Sequence, residues 1–329
     1  MKKLLISIFT ASLFISSLWA QRPDDAIIGT HNYIQLPMAP LPKEYKAFLL
    51  EANSQWDDPY RKDKIYSEFF MAGFEKKKSG ETQFKVVFEE YPFKTGSAQE
   101  EIKAEKIKQD GIEKTINTYG YSFTIQYRCR VEMFDANNEM FYSNAWDENG
   151  KLSTKFYNNR DQAFSEYKKL RDNTRDQALT SCLNRASADI NSKYGYPSYT
   201  YSVMLYKIKP KKFEYANHDE AFALIQSNFN IIGSNENAIE EARVKFAPAI
   251  EKWNEELKQG NPSDKKARID ADVMCATYHN LAMTNYLLKD YAAAIDFMNK
   301  SIALMPNFRG AKKYKEYYEE MKLRADANK

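Results

Sequence analysis

Histidine and cysteine are scarce in this chain, with three of each among 329 residues. His31, His218 and His279 are isolated, and none stands at metal-ligand spacing from another histidine or from Cys129, Cys182 or Cys275. No metal site is therefore expected. Glycine is also sparse, and no phosphate loop, dinucleotide fingerprint or nucleophile elbow occurs. No cofactor is expected either. "DANNEMF" offers Asp135, Asn137 and Glu139 in the spacing that opens a calcium loop, but it lacks the central glycine and closing glutamate and reads as a polar hairpin turn. Glu89 and Glu90 are neighbours on an expected strand and point to opposite faces, so they cannot share acid/base work. No catalytic residue is assigned. A hydrolase with a dispersed site is the remaining enzymatic alternative.

An excess of one charge is missing too. Lysine and arginine number 48 against 45 acids, a net charge of +3, which gives no argument for nucleic acid or an anionic membrane surface. Beyond the N-terminus no long apolar run occurs. Lys2 and Lys3 precede the apolar stretch Leu4–Trp19 and the small Ala20, the pattern of a secretory signal peptide over 1–20. Cleavage after Ala20 would start the mature chain at Gln21, with no membrane span in the mature form and a periplasmic or extracellular location. Three cysteines allow at most one intrachain disulfide. Each falls on the apolar side of an expected element, which favours free buried thiols.

What is present is periodicity. From Tyr121 to Met133 apolar and polar residues alternate strictly, which predicts a long strand with one buried face. "DANNE" then turns the chain into "MFYSNAW", completing a hairpin. A helix is expected from about Asn159 to Tyr194, with Ala178, Cys182, Ala186 and Ile190 on one stripe and a capping box at Thr174–Gln177; the strand "YTYSVMLYKIK" follows. Earlier, strands are expected around "SEFFMAGFEK" and "TQFKVVFEEY", and a charged helix from about Ala98 to Asn117. Together these predict an α+β domain over 21–212, a mostly antiparallel sheet with helices.

From Asn217 the pattern becomes helical only. One helix carries Ala221, Ile225 and Phe229; a second carries Ala242, Phe246, Ala249, Trp253 and Leu257, with Pro248 off the stripe as an expected kink. An all-α module over 213–329 is predicted. Within it, residues 272–307 resemble a tetratricopeptide repeat (TPR): Tyr278, Leu281 and Ala282 on the first helix, Tyr291 and Ala294 leading into the second, and Pro306 at its end. Asn285, Met298 and Ser301 depart from that family's usual residues. Small Ala282 and Ala294 allow close helix approach. One hairpin cannot bury both its faces, so the preceding helix pair and a last helix from Phe308 onward would cover it as a short closed array.

In TPR proteins the concave surface is lined by the first helix of each hairpin. By that resemblance His279, Met283 and Tyr286 are candidates for contact with a protein partner, with packing against neighbouring elements the competing role. The expected function is that of an exported, non-catalytic binding or scaffold protein. The alternative is a structural or assembly component of a bacterial cell-envelope complex.

Overall fold

The computed structural model describes residues 23–54, 58–109, 111–233 and 237–329. The expected signal peptide lies outside them. The described residues form two compact units, one within Pro37–Pro197 and the other combining 23–36 with Ser198–Lys329.

In the first unit a seven-stranded mixed sheet is organised by one long strand. It comprises β2 (Ala47–Ser54), β3 (Glu75–Lys77), β4 (Phe84–Glu90), β5 (Lys94–Thr95), β6 (Gln99–Gln109), β7 (Ile112–Asp135) and β8 (Met140–Ser153). β7 pairs with β4, β5 and β6 in succession along one edge and with β8 along the other, all antiparallel. β2 pairs parallel with both β3 and β4. The alternation of β7 faces Tyr127, Cys129, Val131 and Met133 into a core with Phe48, Phe84, Val86 and Phe88. On that core lies α2 (Arg160–Lys193), which the Asn159 side chain caps by accepting from the amides of Asp161 and Gln162. It contributes Leu179, Cys182, Leu183, Ala186 and Ile190. The helix is continuous, and Thr174 donates to the Leu170 carbonyl within it instead of starting a new one. Cys129 and Cys182 are disulfide-bonded, tying α2 to β7, while Cys275 is free and buried.

Two local expectations change. Residues 98–117 form β6 and the start of β7, not a helix. Their Glu, Lys and Ala residues are good helix formers, but propensity is a weak prior that strand pairing overrides here. Gln109 pairs with Ile112, and Gly111 has φ 79°, a left-handed conformation common in tight hairpin loops. "SEFFMAGFEK" is the end of α1 (Pro59–Glu68) and a loop, with only Glu75–Lys77 extended. Phe69 and Met71 from that loop enter the core. Arg61 of α1 is buried, and its Nε lies 2.8 and 2.9 Å from the two Glu90 oxygens. The Tyr127 hydroxyl also donates to Glu90. On the opposite face Glu89 accepts from Arg130.

The second unit corrects the expected fold class. An α+β domain followed by an all-α module requires that no strand belong to the helical module. Instead β1 (Pro23–Ile34) and β9 (Ser198–Ile208) form an antiparallel ribbon within the helical unit, running from Pro23 opposite Ile208 to Ile34 opposite Ser198, with a bulge at Ile28. The helices are α3 (Ala216–Asn228), α4 (Ala238–Lys258), α5 (Ala271–Leu287), α6 (Tyr291–Leu304) and α7 (Ala311–Ala327). α4 continues through Pro248. In β9, Val203 and Leu205 join one apolar cluster while Tyr206 and Ile208 join another. Such a strand, covered on both faces, is held by helices and cannot be assigned to an open sheet from sequence order. The Pro37–Pro197 unit is thus an insertion between the two strands of a hairpin.

Among the described residues no helix is long and apolar enough to cross a membrane.

Candidate functional site

α5 occupies the centre of the helical unit. Asp270 caps it by accepting from the Val273 amide, and thirteen of its residues are buried, polar ones included. A helix buried all round must satisfy its polar side chains inside the protein. Asn280 does so by bonding to backbone: the Tyr206 amide donates to its Oδ1 at 2.7 Å, and its Nδ2 donates to the Tyr206 carbonyl at 2.9 Å. Both polar groups of one β9 residue are thereby held by one side chain.

His279, Met283 and Tyr286 flank this clamp and are brought together with the ribbon. All three are buried. The His279 ring sits edge-on between Tyr206 of β9 and Tyr314 of α7, at centroid distances of 4.8 and 4.6 Å. It hydrogen-bonds to the Met204 backbone, while its Nε2 has no partner; burial lowers its pKa to about 4. Met283 places its sulfur 3.9 Å from the hydroxyls of both Tyr201 and Tyr318. Tyr286 stacks on Tyr318 and shares a 2.8 Å hydroxyl contact with Tyr317, which donates to Tyr33 of β1 at 3.0 Å. Burial raises the pKa of Tyr286 above the ordinary phenol value, keeping its hydroxyl protonated.

Two arginines hold the ends of β1. Arg309, between α6 and α7, donates to the Pro23 carbonyl at 2.6 Å, and Arg324 of α7 donates to the Leu36 carbonyl at 2.8 Å. β1 carries no clear strand signal because Pro23, Asp24, Asp25, Gly29 and Asn32 interrupt its strand formers and break the period-two alternation. Asn280 is not among the candidate residues that the sequence pattern picks out. The signal available for the clamp was an amide on a helix whose apolar residues occur all round it, so that burial obliges the amide to find backbone or side-chain partners.

The chemistry of this arrangement is that of holding an extended chain. His218 lies 2.8 Å from Thr277 Oγ1, but Thr277 donates to the Val273 carbonyl and both residues are buried. They form an internal bridge between α3 and α5. Burial lowers the His218 pKa to about 4. Among the described residues no group of three or more histidine, cysteine or acidic side chains is placed to hold a metal ion. The inserted unit carries an open, polar groove of about 480 Å³ beside α1 and α2, lined by Lys64, Asp176, Ser181 and Arg185 among others. A second groove of about 310 Å³ lies on the outer sheet face by Tyr91, Arg128, Asp147 and Asn149.

Compared with known proteins, the chain matches no family model and no curated protein.

Proposed function

We propose that this is an exported, non-catalytic binding and scaffold protein, in which a TPR-like helical module grips an extended chain and thereby mounts the inserted sheet unit for interaction with a protein partner. The observation that carries this reading is the Asn280 clamp on Tyr206, with His279, Met283 and Tyr286 as the flanking contacts. The gripped segment is the chain's own ribbon, so the inserted unit is held at both of its ends and becomes the surface offered to the partner. The Cys129–Cys182 disulfide supports export, because such bonds persist in oxidising compartments.

Affinity capture with the mature chain from its own envelope fraction tests the reading. A protein that co-purifies in fixed ratio with the full chain, and is lost when residues 37–197 are replaced by a short turn, is the expected result. Capture that survives that replacement would move the partner site to the helical unit. The absence of any co-purifying protein would argue against a scaffold.

A further inference from the structure

β6 is an outer strand with a long free edge. Among the described residues its only strand partner is β7, and the pairing runs from Gln99 opposite Ser122 to Gln109 opposite Ile112 without a bulge. The strand contains no proline, and Ile102 is 58% exposed. A straight, unbulged edge presents a row of backbone donors and acceptors that natural proteins usually blunt. Here the only blunting device is charge, and its distribution is uneven. Acids Glu100 and Glu101 occupy the first part of the strand, and Lys106 and Lys108 the last.

That polarity selects a partner. Placed antiparallel against another β6, the acidic half of each strand meets the basic half of the other. With the two-fold axis at Ala104, Glu100 lies opposite Lys108 and Lys103 opposite Glu105, each twice, and no like charges lie directly opposite. A shift of the pairing by one residue sets Lys103 opposite Lys106 in one direction, or leaves Lys103 opposite Ala104 in the other. A shift by two sets Glu105 opposite itself or Lys103 opposite itself. The one-residue shift that leaves Lys103 opposite Ala104 keeps only Glu101 opposite Lys106, so the charges favour the register centred on Ala104, which has the most opposite-charge pairs and no like-charge pair. We propose that the free edge of β6 pairs antiparallel with the same edge of a second copy of this chain, joining the two sheets across a two-fold axis at Ala104.

The contacts already made by these side chains rank their parts in the interface. Glu100 is held by Arg160 within its own chain, with Nε 2.6 Å from its Oε1, so an incoming Lys108 adds to a carboxylate already in use. Glu105 has no ion pair among the described residues, and Lys103 lies over the Phe156 ring at 3.9 Å. The Lys103–Glu105 pair is the discriminating one. A two-fold interface is self-complementary and closes at two copies, leaving the other surfaces of the inserted unit exposed.

Size exclusion with light scattering on the mature full-length protein, over a series of concentrations, tests this. The wild type is expected to reach twice the monomer mass. Lys103→Glu places two acids opposite each other, and Glu105→Lys two lysines, so each variant alone is expected to stay monomeric with an unchanged circular dichroism spectrum. An equimolar mixture of the two variants restores both opposite-charge pairs and is expected to recover the dimer mass. A monomeric wild type at high concentration overturns the proposal. So does a dimer that persists in either single variant, or a mixture that remains monomeric.

Discussion

Ile34 and Ser198 stand opposite each other as the last pair of the β1–β9 ribbon, although the whole inserted unit lies between them in sequence. A hairpin closed by a domain instead of a turn needs only that the ends of the insert meet the spacing of two paired strands. Loop-closure entropy rises slowly with loop length, so such an insertion is tolerated.

The first prediction follows. Replacing residues 37–197 by Asn-Gly, which with Gln35 and Leu36 closes the ribbon through a four-residue loop, should leave a helical unit that folds alone and unfolds cooperatively. Far-UV circular dichroism and urea titration check this. A product without a cooperative transition would show that the ribbon and helices depend on the insert.

The second prediction concerns the clamp. Asn280→Ala removes both hydrogen bonds to Tyr206 and strands a buried amide and carbonyl. Each unsatisfied group costs about 1 to 3 kcal/mol, so a loss of roughly 2 to 6 kcal/mol is expected in denaturant titration. A loss well below 1 kcal/mol would mean that the ribbon is held by the arginines and tyrosines instead. Asn280→Asp retains an acceptor for the amide but sets a carboxylate against the carbonyl, and should be no better than alanine.

Much of the architecture was legible because most of its elements are strongly periodic. The alternation of residues 121–133, the helix expected from about Asn159, the stripe from Ala242 to Leu257 and the helix pair within 272–307 all correspond to observed elements. The sequence signal failed where tertiary contacts decide. β6 is built from good helix formers and is extended because it pairs with β7. β9 has the composition of a strand from the preceding sheet, but its partner is β1, far away in the chain. The candidate face on α5 was legible as a cluster, since His279, Met283 and Tyr286 do converge. What they meet was not, because no local pattern reports that a strand from the N-terminus lies against them.

The third prediction uses the disulfide. Cys129 and Cys182 are 53 residues apart, and closing a loop of that length in the unfolded chain contributes about 4 kcal/mol by the chain-entropy relation. Cys129→Ala combined with Cys182→Ala should lower the stability of the inserted unit by up to that amount and leave the helical unit unchanged. Two resolved transitions in a calorimetric scan, of which only one shifts, are the expected record. An equal shift of both would show that the units unfold as one.

The fourth prediction concerns the hairpin of α5 and α6. Ala294 is fully buried where these helices approach, so Ala294→Leu should overpack the contact and cost about 1 to 3 kcal/mol. Lys289, in the loop between them, has φ 59°, a left-handed conformation that glycine adopts without strain. Lys289→Gly should therefore stabilise the hairpin by about 1 kcal/mol. Thermal melts of both variants check the pair, and a destabilised Lys289→Gly would contradict the backbone assignment.

The last prediction is a pH dependence of the helical unit. His218 and His279 are buried, and burial depresses both pKa values to about 4, against about 6.5 in an unfolded chain. Above pH 6.5 both are neutral in either state and contribute no slope. As the pH falls below 6.5, the unfolded chain binds protons that the folded unit refuses, so stability is lost at about 1.4 kcal/mol per pH unit for each histidine. The loss levels off near pH 4 at about 3 kcal/mol each. The pKa of half-buried His31 on β1 is also lowered, by burial and by Lys289, and adds a smaller loss of the same sign. Between pH 6.5 and 5 most carboxylates remain ionised, so that window isolates the histidines. Urea titrations of the full chain at half-unit intervals should show the helical transition weakening there, and His279→Gln should reduce the slope by close to half. A helical transition independent of pH across the window would mean that both rings are solvated or paired, contrary to the packing of His279 between Tyr206 and Tyr314.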